Sequence, residues 1–379
     1  MSYPSYRVSY VFECWLCRPS AANIALNGVT TSEQFHEKNH YVPRGYLRRW
    51  AAVDGRLWAY RLLVPHDRVE PWKAVTPNGV AKHAHLYTRL IAGQESDDIE
   101  RWFDAEFETP AQGALNRAVA DDRLSQEDWV RIIRYVAAQD VRTPASFEAH
   151  SRRWNKQMPE FIESTLESSI AKLERMVSTG ETVLQEPVVR DDLPIRITTR
   201  REPGQETAEV GAQVLLGRSF WLWSVRQVLD QTWKVLKSHK WTILKPPEGT
   251  CWFTTDNPVV RLNYNGPKDY DFGGGWGSNG SEIMMPLSPQ HLLYTRIGHR
   301  APMRGGTMPV AEAAIARRMM AEHAHRVVFA AQPDPDVETL RPRIVDLAAY
   351  TGEIAHWEKF HERQTAAELE MFGDVDGQG

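Results

Sequence analysis

The chain is poor in cysteine: Cys14, Cys17 and Cys251 are the three among 379 residues. So small and odd a number argues against a secreted disulfide scaffold. Cys14 and Cys17 stand in CWLC, but a zinc site needs two further soft ligands and only Cys251 remains. No strand–helix junction accompanies the pair, as a redox motif requires. Long apolar runs are missing too. None approaches the roughly 20 residues of a membrane span, so no membrane partner is expected. The N-terminal stretch carries one arginine before a broken apolar patch, a poor signal peptide, and the expected location is cytoplasmic. Charge of one sign is not in excess. A formal net charge of -4 gives no global case for a nucleic-acid partner. Repeats and low-complexity linkers are absent. So are H-E-x-x-H, a nucleophile elbow, a Walker loop and a dinucleotide fingerprint, which removes the reactions those motifs signal.

What is present is an ordinary globular composition, 42% hydrophobic and 25% charged, in a chain long enough for one to three domains. Patterned sequence begins near Gln34. Residues 1–33 read as a poorly ordered leader, 34–346 as a single domain, and 347–379 as a polar tail adding at most a peripheral helix. Pro43 opens a short helix with Tyr46, Leu47 and Trp50 on its inner face. A strand is expected over 56–64. Helices are expected from Asp97, from Ser125 with Asp128 completing a capping box, over 145–176, and over 209–230. Strands follow at 233–236, 241–245, 251–256, 282–288, 291–297 and 325–331, with a helix near 310–322. This is an α+β pattern: a helical middle packed on a mixed or antiparallel sheet built from N-terminal and C-terminal strands.

Polar residues on apolar faces mark the candidate site. At 100° per residue, Glu106 falls within the stripe defined by Ile99 and Phe103. On the next helix Asp140 lies in the stripe of Trp129 and Val136, with Gln139 flanking it. Buried carboxylates are costly unless paired, hydrogen-bonded or metal-bound, and Arg142 is a ready partner. Both a structural ion-pair network and a polar pocket fit this pattern. In FTTDNPV a strand runs into Asp256-Asn257-Pro258, which is either an Asx turn or the lip of a cleft. In HEKNHYVPRGYLRRW, His36 and His40 stand four apart, but the intervening residues and Pro43 make a shared helix face doubtful.

HYVPRGYLRRW, the Glu100/Glu106 helix, AAQDVRTP, FTTDNPV and EIMMPLSPQHLL, in that order, resemble the domain-of-unknown-function family DUF4238 over about residues 38–331. The resemblance assigns signature positions to His40, Tyr41, Pro43, Tyr46, Leu47, Glu100, Glu106, Gln139, Arg142, Asp256, Asn257, Pro258, Pro286 and Ser288. Gly45 stands where a bulkier residue is common, and Trp50 where Phe is usual. No activity comes with the resemblance.

The candidate catalytic set is therefore His40, Glu106, Gln139, Arg142, Asp256 and Asn257. Converging on one pocket, these residues could hold a divalent metal through carboxylates and an imidazole, with Arg142 clamping a phosphate. Metal-assisted hydrolysis of a phosphodiester, nuclease-like, is the reaction they suggest. The alternative is a non-catalytic binding or interaction module in which the same residues form a structural polar network. Either way they are expected to line one concavity where helices meet sheet, with Glu106 or Asp256 as the carboxylate partner of a buried His40.

Overall fold

The two largest sheets, of five and four strands, are both antiparallel. The computed structural model describes residues 7–13, 35–91, 93–179, 194–201 and 208–372. One sheet joins the two ends of the domain: β1 (Leu57–Arg61) and β2 (Trp72–Val75) pair with β3 (Thr254–Thr255) and β7 (Val327–Ala330) in the order β3-β7-β1-β2. The other contains β4 (Val260–Gly266), β5 (Glu282–Ser288) and β6 (His291–Arg296), with Thr242–Leu244 at one edge and Asp269–Asp271 at the other. Its central strand β5, EIMMPLS, is buried along its whole length, which is why it reads as a continuous apolar run rather than an alternation.

The helical middle lies between the strands that form the first sheet. Asp98–Phe103 leads through a π turn, Asp104–Glu108, into α1 (Thr109–Val119). Then come α2 (Gln126–Val141), α3 (Pro144–Thr179) and α4 (Arg218–Gln227). The expected capping box starts α2: Asp128 N–H donates to Ser125 Oγ at 3.1 Å, and Ser125 N–H donates to Asp128 Oδ2 at 2.9 Å. Later helices are α5 (Val310–His323), α6 (Leu347–Glu358) and α7 (Phe360–Phe372). The fold is α+β, as the pattern implied. No helix among the described residues is long and apolar enough to cross a membrane.

The short helix after Pro43 fastens both sheets. Tyr46, Leu47 and Trp50 are all buried. The Thr254 hydroxyl, in one sheet, donates to Tyr46 Oη at 2.7 Å, and Tyr46 donates to the Pro286 carbonyl, in the other, at 2.6 Å. Trp50 Nε1 donates to the Trp252 carbonyl at 2.9 Å.

Four expectations differ from the structure. Residues 208–215 form a strand, not a helix: Ala208–Leu215 pairs with Ile195–Arg201, and its alternating Ala212 and Val214 pack on Met158, Ile162 and Phe220. Residues 233–236 are helical, because the π turn Val228–Thr232 continues directly into Lys234–Lys237. Within the leader, Arg7–Glu13 is a strand parallel to Ala208–Leu215; Cys14 and Cys17 lie outside the described residues. The polar tail is not peripheral throughout, since α7 buries Phe360, Gln364, Thr365, Ala367 and Glu368.

Candidate functional site

The last turn of α2 is where distant parts of the chain converge. Pro144 prevents α2 from running on, since it restricts the residue before it, and the Thr143 hydroxyl accepts Ser146 N–H at 3.2 Å to start α3. Within this turn Gln139 Nε2 donates to the Tyr41 carbonyl at 2.8 Å. Asp140 accepts from Arg261 Nε at 3.0 Å and from Trp276 Nε1 at 2.6 Å. Arg142, fully buried, donates from Nε to Tyr87 Oη at 3.2 Å, from Nη1 to Glu108 at 2.5 Å and from Nη2 to the His40 carbonyl at 2.8 Å. Tyr87 Oη returns a bond to the Arg142 carbonyl at 2.6 Å. Phe103 lies under the guanidinium, 4.4 Å away. Burial lowers the Arg142 pKa, and Tyr87, Glu108 and Glu100 raise it by more, so the group stays charged.

The Asp-Asn-Pro turn is built as tightly. Both oxygens of Asp256 accept backbone N–H groups, from His325 at 2.9 Å and Arg326 at 2.8 Å, while its own N–H donates to the Val327 carbonyl at 3.0 Å. The side chain thereby fixes the entry into β7. Asn257 Oδ1 accepts from Thr143 Oγ1 at 3.1 Å, and its Nδ2 donates to His323 Nε2 at 2.8 Å. His323 is neutral: burial leads in lowering its pKa to about 4.

Four of the six candidates thus meet at the junction of α2, α3 and the first sheet: Gln139 and Arg142 from the helix side, Asp256 and Asn257 from the sheet side. His40 joins them through its backbone carbonyl. Its ring faces the Asn78 carbonyl, with Nε2 buried and unpartnered, and burial, seconded by Arg44, lowers its pKa to about 4. Neither Glu106 nor Asp256 is its partner. Glu106 does not join the network at all: it is exposed and pairs with Arg134 at 3.0 Å. The reason is the π turn Asp104–Glu108. A wider turn rotates the following residues off the 3.6-residue phase, so Phe107 turns inward and Glu108, not Glu106, reaches Arg142. Tyr87, Glu108, Thr143 and His323 went unrecognised in the sequence, because long-range partners leave no trace in local periodicity.

Glu100 is the carboxylate of the site whose protonation lies near neutral pH. Its side chain is 20% exposed, 3.9 Å from Arg142 Nη2, and its Oε2 is buried without a hydrogen bond. Burial raises its pKa to about 7 from an ordinary 4.5, with Arg142 opposing. Folded Glu100 therefore holds its proton more tightly than unfolded Glu100. The resulting stabilisation is fully present below about pH 4.5 and lost as the pH rises through about 7. This displacement corresponds to on the order of 3 kcal/mol. Glu100→Gln is expected to flatten that part of the pH profile, and to gain stability relative to the wild type at pH 8. Urea unfolding across this range measures it, and parallel profiles would contradict the assignment.

A second cluster has the composition of a metal site. Ligand atoms of His85, Glu95 and His361 lie within 4.8 Å of one another, the group among the described residues close enough to hold an ion. Its hydrogen bonding has the wrong polarity for one. Arg218 Nη1 donates to His361 Nδ1 at 2.9 Å. In the neutral ring Nε2 then carries the proton and donates to Glu95 Oε1, 2.7 Å away. To ligate through Nε2, His361 would need the reverse, a free Nε2 with Nδ1–H donated outward.

Fold and site together define an α+β domain organised around a buried arginine at a helix end. The chain belongs to the family described as protein of unknown function (DUF4238), whose model matches residues 38–334. Comparison with curated proteins and with solved structures gave no match.

Proposed function

We propose that this is a ligand-binding protein in which the signature residues form a rigid polar frame rather than a catalytic centre. What supports this reading is how firmly Arg142, Asp256 and Asn257 are engaged by the protein itself, whereas His40 Nε2 and Gln139 Oε1 are buried without a partner. Arg142 commits Nε, Nη1 and Nη2 to Tyr87, Glu108 and His40 and is fully buried, so it presents no open fork to a phosphate. Asp256 spends both oxygens on backbone N–H groups, and Asn257 is held by Thr143 and His323. A base or metal ligand needs an unspent lone pair facing the substrate. Metal-assisted phosphodiester hydrolysis by His40, Glu106 and Asp256 draws little support from an exposed Glu106 and a backbone-bound Asp256.

A second reading rests on Glu100 alone. A carboxyl with a pKa of about 7 and a buried oxygen that makes no hydrogen bond is suited to proton transfer at neutral pH. The two readings separate in one experiment. The purified protein is assayed on bis(4-nitrophenyl) phosphate with Mg2+ or Mn2+, beside the variants Asn257→Ala and Glu100→Gln. The frame reading expects no turnover above buffer, and a stability loss of about 1–3 kcal/mol for Asn257→Ala. Turnover that Glu100→Gln abolishes without unfolding the protein would overturn it in favour of the second reading, and metal-dependent turnover that a further variant, His40→Gln, abolishes would overturn it in favour of hydrolysis.

A further inference from the structure

A groove separate from the polar frame opens beside the first half of α2. Its volume is about 580 Å³, and its lining includes Trp129, Lys237, His239, Lys240, Trp241 and Arg300. That size falls within the range of small-molecule sites. The lining combines two features in one place.

The first feature is unbalanced positive charge. Lys237, Lys240 and Arg300 are exposed and have no ion-pair partner among the described residues. The nearest acids in sequence on α2 are already engaged: Glu127 pairs with Arg131 at 3.0 Å, and Asp128 pairs with Arg117. The chain as a whole carries a net charge of -4, so this concentration of cations is local and not a reflection of overall basicity. Three uncompensated cations around one cavity create a field that draws in an anion.

The second feature is a pair of fixed indoles. Trp241 Nε1 donates to the Leu236 carbonyl at 2.8 Å, and both Trp241 and Trp129 pack partly buried against the main core. His239 is oriented too, since its Nε2 donates to the Trp276 carbonyl at 2.6 Å. Held rings need no reordering to receive a planar group, which lowers the entropic cost of binding.

We infer that this groove binds a nucleobase carrying a phosphate, with the ring against Trp129 or Trp241 and the phosphate held by Lys237, Lys240 and Arg300. Stacking on a fixed aromatic platform beside a cationic track is how single nucleotides and single strands are held without base-specific contacts. The inference names a ligand for the binding function proposed above, and in that respect rests on it.

Tryptophan fluorescence and calorimetry with AMP, adenosine, inorganic phosphate and an oligothymidylate test it on the full chain. AMP is expected to quench fluorescence saturably, and to bind at least about tenfold more tightly than adenosine or phosphate alone. Added salt weakens it. The surface variant Lys240→Ala/Arg300→Ala weakens AMP by about tenfold or more at unchanged melting temperature, and Trp241→Leu weakens adenosine and AMP alike. An oligothymidylate that binds more tightly than AMP assigns the groove to single-stranded nucleic acid; one that binds no more tightly assigns it to free nucleotides. Absence of saturable AMP and oligothymidylate binding at millimolar concentration, or binding indifferent to Lys240→Ala/Arg300→Ala, overturns the inference. The phosphodiester assay reports on the frame reading independently, so the failure of one is distinguishable from the failure of the other.

Discussion

Arg142→Met is expected to destabilise the protein by about 3–5 kcal/mol, the cost of stranding a buried charge partner. Glu108, whose side chain is 20% exposed, would lose the cation 2.5 Å from its carboxylate. The His40 carbonyl would lose its donor, and Tyr87 Oη would lose one of its two partners. Urea unfolding measures the loss as a shift in midpoint at constant slope. The second variant, Arg142→Met/Glu108→Gln, removes the stranded carboxylate and is expected to recover a substantial part of the loss. Arg142→Lys should recover less, because a point charge cannot serve Tyr87, Glu108 and His40 in three directions at once. A loss below about 1 kcal/mol for Arg142→Met would show that the fold does not depend on the guanidinium.

The residues of this network were legible in the sequence to different degrees, for identifiable reasons. Gln139 and Arg142 could be located because α2 is a regular helix with an unambiguous start at Ser125, so counting along it in 100° steps stays in phase. The same counting failed for Glu106 because the π turn at Asp104–Glu108 breaks the phase, and no residue type in DAEFE announces such a turn. Asp256 and Asn257 were recognisable as turn residues from Pro258. Their partners, the N–H groups of His325 and Arg326 and the side chains of Thr143 and His323, lie far along the chain. Tyr87 and Glu108 escaped notice for the same reason.

Fold class was readable because it follows from the order of elements, and the sheet built from both chain ends appears as expected. The misread segments are those in which tertiary pairing overrides local pattern. AEVGAQVL has enough small and apolar residues for a helix, yet pairing with Ile195–Arg201 makes it a strand. The tail misled because its buried face is polar. Gln364, Thr365 and Glu368 are buried, but in sequence they look like a solvated surface. What turns that surface inward is one arginine about 150 residues earlier.

Arg218 is fully buried, and its Nη2 is 2.8 Å from Glu368 Oε2, itself 3% exposed. It also bonds Thr365 and His361 of α7, while its backbone N–H donates to Gln364 Oε1 at 2.6 Å. That last bond satisfies one of the free N–H groups at the start of α4. The packing is close enough that a Cβ on Gly217 would come within 2.5 Å of Gln364 Oε1. Arg218→Met is therefore expected to cost about 3–5 kcal/mol, and Glu368→Leu, which strands the arginine instead, a similar amount. The double variant Arg218→Met/Glu368→Leu should lie much closer to the wild type than the sum of the two, since an apolar pair of similar volume replaces both charges at once. Thermal and urea unfolding of the four proteins give the coupling directly. Strict additivity would mean that α7 is held by its apolar residues, Phe360 and Ala367, and that the buried ion pair is incidental to its docking.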